Sequence, residues 1–169
     1  GGTYGDVVVV DKPIEVLGEG RDVVMMSPGA STLAPDTINA GFFVLADEVT
    51  ISGFHLSGYA QGVYLAGADH CTISDNTLSD NGHGILLDGQ PAPAGSDATV
   101  ELEGASENLI VGNHIQNNVF LANSGVHVEK GAGNQITFNN IVGNLDHGVW
   151  YGGIVFAGAS ANPSVVYEW

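Results

Sequence analysis

Apolar and polar positions repeat along this chain with a period near 22 residues, between Val49 and Trp150. Two columns of equivalent positions are apolar, and a third is a glycine followed by an apolar residue. The members of the three columns are Ile51, Ile73, Ile110 and Ile136; Leu56, Leu78, Ile115 and Ile141; and Gly62-Val63, Gly84-Ile85, Gly125-Val126 and Gly148-Val149. The first and third columns alternate evenly from Ile51 to Gly84, so the pattern is a true internal repeat.

The content of each repeat predicts short β-strands joined by tight turns. Each unit holds two or three β-branched runs separated by Gly, Asn, Asp and Ser. No window carries apolar residues at helical spacing over three turns. Three short strands that climb one strand spacing, about 4.8 Å, per turn form a parallel β-helix. We therefore predict an all-β fold, a single-stranded parallel β-helix solenoid of about seven coils, with residues 1–169 as one domain.

Two columns of asparagine accompany the apolar columns: Asn76, Asn113 and Asn139, and Asn81, Asn118 and Asn144. Asparagine tolerates the left-handed backbone of a sharp corner, and its amide can hydrogen-bond to the next coil. The columns thus predict architecture rather than chemistry. Cys71, which aligns with Val49, is expected to be a small buried residue rather than a reactive thiol.

Insertions interrupt the repeat at two places. Residues 90–106 are rich in Pro, Ala and Gly, and we predict that they leave the solenoid as a loop, because the columns resume after them. Residues 119–123 form a smaller excursion. Beyond the last repeat, Gly153–Phe156 is predicted as one more strand, followed by a segment that covers or continues the open edge.

The run Asn108-Leu109-Ile110-Val111-Gly112-Asn113-His114-Ile115 resembles the repeats of right-handed parallel β-helices of the pectate-lyase-like superfamily. The closest likeness is to NosD-type and other carbohydrate-binding or sugar-hydrolase β-helices. The opening Gly2-Thr3-Tyr4, with Lys12-Pro13-Ile14 after it, is similar to the first coils of that superfamily. The resemblance implies a right-handed β-helix outside the cytoplasm. It does not fix a function, because the superfamily includes lyases, hydrolases, epimerases, esterases, adhesins and phage spikes.

The charge balance is strongly acidic, with three Lys or Arg residues against 19 Asp or Glu. Such a surface repels nucleic acid and anionic lipid, and no apolar run is long enough to span a membrane. We expect neither nucleic-acid binding nor membrane insertion. The acidity has two interpretations. The first is adaptation to high salt or to abundant divalent cations, and the even distribution of the acidic residues along the chain favours it. The second is an acidic binding face.

Three histidines lie near the glycine column and are expected on the outer surface. His83 and His147 share one column with Ser124 between them, and His127 follows Ser124 by three residues. If Val126 and Val128 face inward, His127 faces outward. With the nearby carboxylates they are hypothesised to bind a sugar or a metal, or to act as acid and base on a uronate; the residues of the hypothetical catalytic set are His83, His127, His147, Asp88 and Asp146. Gly82-His83-Gly84 resembles a polygalacturonase motif, but the paired aspartates and the Arg-x-Lys motif of those enzymes do not appear.

Aromatic residues near the same strands suggest a sugar-stacking row, since flat rings stack on pyranoses. The residues predicted to bind substrate are Tyr64, Glu129, Lys130, Trp150 and Tyr151, with Tyr59 also in the row. Some of these rings could instead fill the core or cap the last coil.

No metal site is assigned from the sequence. Calcium could bind among Asp97, Glu101 and Glu103 of the inserted loop, but no EF-hand or Gly-Gly-x-Gly-x-Asp spacing is present. We expect His83 and His147 to lie about three strand spacings, roughly 14 Å, apart, too far to share one ion.

Two functions remain open at this stage. The first is an extracellular or cell-surface module that binds, and could process, an acidic or neutral polysaccharide; any enzyme activity would be that of a polysaccharide lyase, hydrolase or epimerase. The second is a purely structural β-helix, a segment of a larger surface protein, adhesin or virion spike. A polar groove with aromatic and His residues would favour the first, and a featureless face the second.

Overall fold

The chain forms a right-handed parallel β-helix in the computed structural model, as the sequence predicts. The structure describes residues 3–22, 25–27, 38–89, 104–119, 124–144, 147–151 and 154–156. These residues contain 18 strands and no helix. The strands lie in three sheets, which run along the three walls of the solenoid.

The first sheet takes one short strand from each coil. Its neighbours pair in parallel throughout. In spatial order the strands are β1 (Thr3–Tyr4), β4 (Met25–Met26), β7 (His55–Ser57), β10 (Thr77–Ser79), β13 (His114–Gln116) and β16 (Asn140–Val142).

The second sheet contains the longest strands. Its parallel strands are β2 (Val8–Val10), β5 (Ala40–Val44), β8 (Gln61–Ala66), β11 (His83–Asp88), β14 (Ser124–Val128) and β17 (His147–Tyr151). The predicted final strand is present as β18 (Ile154–Phe156), which pairs with β17 in the antiparallel direction. It therefore ends the parallel stacking of this sheet.

The third sheet completes each turn of the solenoid. Its strands are β3 (Glu15–Leu17), β6 (Thr50–Ser52), β9 (Thr72–Ser74), β12 (Leu109–Val111) and β15 (Gln135–Thr137). The described strands make five complete coils and part of a sixth, and the total of about seven stays a prediction.

The register confirms the three sequence columns. Ile110 pairs with Ile73 on one side and with Ile136 on the other. The Leu56 and Gly-apolar columns stack in the same way. All of these inward residues from Ile51 to Ile136 are at most 5% exposed, so the core is one continuous apolar stack along the axis.

Asparagine side chains bond adjacent coils to one another, as predicted, but their backbone partners lie in the preceding coil rather than in the next one. In each case Oδ1 accepts from a backbone N–H of the preceding coil, and Nδ2 donates to the carbonyl three residues before that N–H. Asn113, for example, accepts from Asn76 N at 3.0 Å and donates to Ile73 O at 2.8 Å. We call these stacks the asparagine ladders; their members are Asn76, Asn113 and Asn139; Asn81, Asn118 and Asn144; and Asn108 and Asn134.

The prediction that these asparagines adopt the left-handed backbone is wrong. The left-handed residue is the one immediately before each ladder position. Asp75 (φ 53°) precedes Asn76, and Asp80 (φ 56°) precedes Asn81. Asp75 and Asp80, which adopt the strained left-handed backbone, are exposed. The asparagine that follows each of them points into the interior, where its amide forms hydrogen bonds with buried backbone groups.

The end of the predicted loop belongs to the solenoid. Ala105 is fully buried in the core, and Ser106 N donates to Asp69 Oδ1 at 2.7 Å. Residues 90–103 and 120–123 lie outside the described residues.

Candidate functional site

The outer face of the second sheet carries the side chains on which the functional hypotheses depend. Along β14, Val126 and Val128 are buried inside the solenoid, so His127 between them projects from the outer side. The register places His127 in one outer column with Val9, Phe43, Tyr64, Leu86 and Trp150.

His83 and His127 make direct contact on this face. Their ring centroids are 4.8 Å apart in an edge-to-face arrangement. His127 is buried, at 7% exposure, and His83 is partly buried. The contact joins two coils, because His83 lies on β11 and His127 on the adjacent β14.

Each ring of this pair is oriented by a neighbour. His127 Nε2 lies 2.8 Å from Glu129 Oε2, and because a carboxylate only accepts, Nε2 must carry the proton. Ser124 engages Nδ1 of His83 through its hydroxyl at 3.2 Å and its backbone N–H at 3.5 Å. A histidine held by a carboxylate in this way has the orientation and basicity of many metal-binding imidazoles.

Burial keeps His83 neutral. Removal from water, with a smaller contribution from the neighbouring His127, lowers the pKa of His83 to about 4, although Glu129 opposes the shift. At neutral pH His83 therefore offers an uncharged imidazole. This is the form that binds metal, whereas a general base working near neutral pH needs a pKa closer to 7.

Tyr64 packs against an aromatic residue that the sequence analysis did not single out. Its ring lies 5.2 Å from that of Phe43, at an interplanar angle of 48°. Burial, followed by the charge of Asp88, raises the pKa of Tyr64 to about 12. Ala40, Ala66 and Leu45 complete this small outer apolar cluster. Phe43 was missed because it lies before the regular repeat, although its column could have been found by aligning β5 with β8.

The other predicted site residues are dispersed. Asp88 is at the end of β11, where Oδ1 accepts from Gly89 N at 2.7 Å. Lys130 is exposed just beyond Glu129. Tyr59, by contrast, is 2% exposed in the interior and is not part of an outer row, which corrects that part of the aromatic prediction.

The backbone of β17 carries three further predicted residues, His147, Trp150 and Tyr151. His147 pairs with Ser124, which in turn lies in the column of His83. The two histidines are thus two strand spacings apart, about 10 Å, rather than three. Asp146 and the proposed calcium ligands Asp97, Glu101 and Glu103 lie outside the described residues.

Comparison with known proteins identifies the family. The family model described as periplasmic copper-binding protein (NosD) matches residues 5–153, nearly the whole chain. The chain belongs to the NosD family. This agrees with the NosD-type resemblance of its repeats. No curated protein matches the NosD-family chain, and no solved structure matches it.

The family description raises the question of a metal site. Within the described ranges, no group of three or more His, Cys, Asp or Glu side chains is placed to hold a metal ion. The His83–His127 pair supplies two imidazoles, one of them held by a carboxylate, and imidazole is a preferred copper ligand. The pair thus offers two imidazole donors, and a copper ion held there would need further ligands. In the same described ranges, no helix has the length and apolar character that crossing a membrane requires.

Proposed function

We propose that the chain binds a copper ion in the periplasm through His83 and His127 on the outer face of its second sheet. The contact between these two rings carries the proposal, and the description of the NosD family supports it. Bound there, copper would have ligands on two adjacent coils.

The residues around the pair decide which nitrogens can bind a metal. The backbone N–H of Ser124 donates to Nδ1 of His83, so the lone pair of this neutral ring is on Nδ1, and copper would have to replace Ser124 there. Glu129 fixes the proton of His127 on Nε2, so the lone pair of that ring is on Nδ1. Burial of His127 limits the access of water to that ring, and partial burial keeps His83 uncharged. Cys71 is an unsuitable ligand, because it is buried in the core and its pKa is raised to about 11, chiefly by burial.

Substitutions copied from neighbouring coils test the proposal without disturbing the stack. Gln61 stands in the column of His83, and Leu86 in that of His127, so His83→Gln and His127→Leu place residues that these columns already accept. We expect the wild-type chain to bind copper, measured with a competing chelator, and each variant to bind at least about tenfold more weakly.

A matched control is His114→Thr, because Thr77 occupies the same column of the first sheet. This variant should bind copper as the wild type does. The nitrogen coupling in the electron paramagnetic resonance spectrum of the Cu(II) form should be that of two imidazoles in the wild type and that of one imidazole in His127→Leu. Equal affinity in the wild type and both site variants would refute the assignment.

A second candidate function is the binding of a polysaccharide on the same face. Tyr64 supports it, because this half-buried ring is held by Phe43 and could stack on a pyranose. Asp88 and Glu129 lie beside the row and the chain carries a net charge of −16, so a neutral sugar is favoured over a uronate. Glu129, Lys130, Trp150 and Tyr151 stay predicted sugar contacts, and acid-base catalysis by the His and Asp set stays a prediction.

A glycan array, followed by titration with the oligosaccharides that bind, tests this candidate. Tyr64→Leu, which copies Leu86 from the same column, should weaken binding at least about tenfold, while His114→Thr should not. The same array should be followed by an assay for unsaturated uronates. A chain that binds neither copper nor any glycan has the structural role instead.

A further inference from the structure

Glu129 brings a negative charge to the histidine pair on the second sheet. Its Oε2 lies 2.8 Å from Nε2 of His127, and its side chain is 51% exposed although His127 is buried. The carboxylate therefore stands at the boundary between water and the buried ring. Its charge also acts on His83, because it opposes the lowering of the pKa of that residue. The field of Glu129 thus reaches both rings.

A metal ion held by two neutral imidazoles keeps its whole charge, because these ligands carry none in return. Removing that charge from water is costly unless a neighbouring group of opposite sign compensates it. Asp88 stands one coil before Glu129 in the same outer column, but its Oδ1 accepts from Gly89 N. Glu129 instead directs its carboxylate to a ring of the pair. It is thus the compensating group that the structure places against the rings.

We propose that Glu129 makes this site prefer Cu(II) to Cu(I), as a positioning residue rather than as a ligand. The inference rests on the proposed copper site at His83 and His127. The hydrogen bond from His127 orients the ring equally for either ion. The charge of Glu129 separates the two ions, because its coulombic attraction for Cu(II) is twice that for Cu(I). A role as third ligand is not supported, since no group of three metal-binding side chains occurs within the described ranges.

Two substitutions separate the charge of Glu129 from its hydrogen bond. Glu129→Gln removes the charge and retains an oxygen that can accept from Nε2 of His127. Glu129→Ala removes both, and it copies Ala66, which stands two coils earlier in the same column. Glu48→Gln is the matched control, because Glu48 is exposed and the substitution changes the net charge equally. Glu48 follows β5, which is three strand spacings, about 14 Å, from β14.

The affinities for Cu(II) and Cu(I), each measured with a competing chelator, test the proposal. In Glu129→Gln, binding should weaken about tenfold for Cu(II) and about threefold for Cu(I), because the lost attraction scales with the charge of the ion and is moderated by solvent. The reduction potential of the bound copper should rise by about 30 mV, since a tenfold change in affinity corresponds to about 59 mV for one electron. Ag(I), which needs no reductant, should follow Cu(I).

The two other variants complete the test. Glu129→Ala should weaken the binding of both ions further and by similar factors, because the lost hydrogen bond orients His127 for either of them. Glu48→Gln should change neither affinity. An equal loss of affinity for Cu(II) and Cu(I) in Glu129→Gln, or an unchanged reduction potential, would overturn the proposal while the copper site itself stands. A wild-type chain that binds neither ion would overturn both the copper site and the role of Glu129.

Discussion

At the corners of this solenoid, single asparagine side chains form the hydrogen bonds that buried backbone groups need. Asn113 is 1% exposed and is bonded to backbone groups of the preceding coil and to Asn139 of the next. A buried polar group that loses its partner costs more than the bond contributed, because the remaining group stays desolvated. The stability of each corner therefore depends on one side chain.

Asn113→Ala should lower the free energy of unfolding by about 2–4 kcal/mol, because it leaves Asn76 N and Ile73 O without their buried partner. Denaturant unfolding followed by circular dichroism measures the change. Asn140→Ala, exposed in the next coil, should cost less than about 0.5 kcal/mol. Similar losses in both variants would contradict the role of the ladder.

His83 should make stability depend on pH. Its pKa is lowered to about 4 in the folded chain, chiefly by burial, against an ordinary value of 6.5. Between these values the unfolded chain binds a proton that the folded chain does not, so stability falls as pH falls from about 6.5 to about 4. The loss from this residue should be about 2–3 kcal/mol.

His83→Gln should remove that part of the pH dependence. Unfolding in metal-free buffer at several pH values between neutral and about 4 would measure it for both chains. Identical slopes for the wild type and the variant would show that His83 does not titrate between the folded and unfolded states.

At the scale of the strand, close approach of the coils requires a residue without a side chain in the second sheet. A Cβ added to Gly84 would lie 2.5 Å from Gly125 O and 2.7 Å from Ile115 Cγ2. Gly62 and Gly125 meet the same obstruction from the following coil. This is a steric requirement between coils, because none of these glycines has a positive φ.

Gly84→Ala should therefore destabilise the fold by about 3 kcal/mol or more, through overpacking against a rigid backbone. Gly148→Ala is the matched control in the last described coil, where, among the described residues, the nearest atom to the added Cβ is Ile141 Cγ2 at 3.5 Å. It should change the free energy of unfolding by less than about 1 kcal/mol. Equal effects would mean that the coils do not approach as closely as the structure shows.

One asparagine ladder is incomplete, and Cys71 holds the open position. Cys71 N donates to Asn108 Oδ1, as in a ladder. The Sγ of Cys71, however, lies 3.5 Å from Ala46 O, which is longer than the bond that an asparagine amide forms at the other ladder positions. Ala46 O lies three residues before Val49, where the pattern places the acceptor for an asparagine amide.

Cys71→Asn should extend the ladder by one coil and raise the free energy of unfolding by about 1 kcal/mol. Chemical denaturation under reducing conditions provides the measurement. Cys71→Leu tests whether burial alone is responsible, and it should destabilise the chain by overpacking. A destabilised Cys71→Asn variant would show that the site does not accept the ladder geometry.

At the scale of the whole molecule, the charge of −16 opposes the compact state. Carboxylates stack at the corner between the second and third sheets, where the exposed Asp47 and Glu48 are followed one coil later by the partly buried Asp69. Salt screens such repulsion between neighbouring coils. Sequence and structure together therefore predict a chain that is stabilised by salt.

Raising sodium chloride from about 0.05 M to about 1 M should raise the melting temperature, since the Debye length falls from above 10 Å to about 3 Å. Differential scanning calorimetry measures the effect. Sucrose of equal osmolality is the control, because it is excluded from the protein surface but does not screen charges. A melting temperature that is constant or falls with salt would show that surface repulsion does not limit stability.

Much of the fold was predictable because a solenoid converts sequence period directly into contacts. Ile73, Ile110 and Ile136 could be placed on one another from their spacing alone. The third ladder, Asn108 and Asn134, was visible as a column but was not assigned its role. The position of the left-handed residues was predicted wrongly, because asparagine propensity does not tell whether an Asn forms the turn or the bond beside it.

The sequence by itself determined the columns. It showed which residues stack on one another in successive coils, which of them face inward, and where insertions interrupt the stack. The tertiary structure decided what adjacent columns do to one another, because ring contacts and burial depend on side-chain directions across coils that spacing does not encode. That His83 meets His127 while His147 lies two spacings away, and that Tyr59 faces the core while Tyr64 packs on Phe43, follows only from this packing.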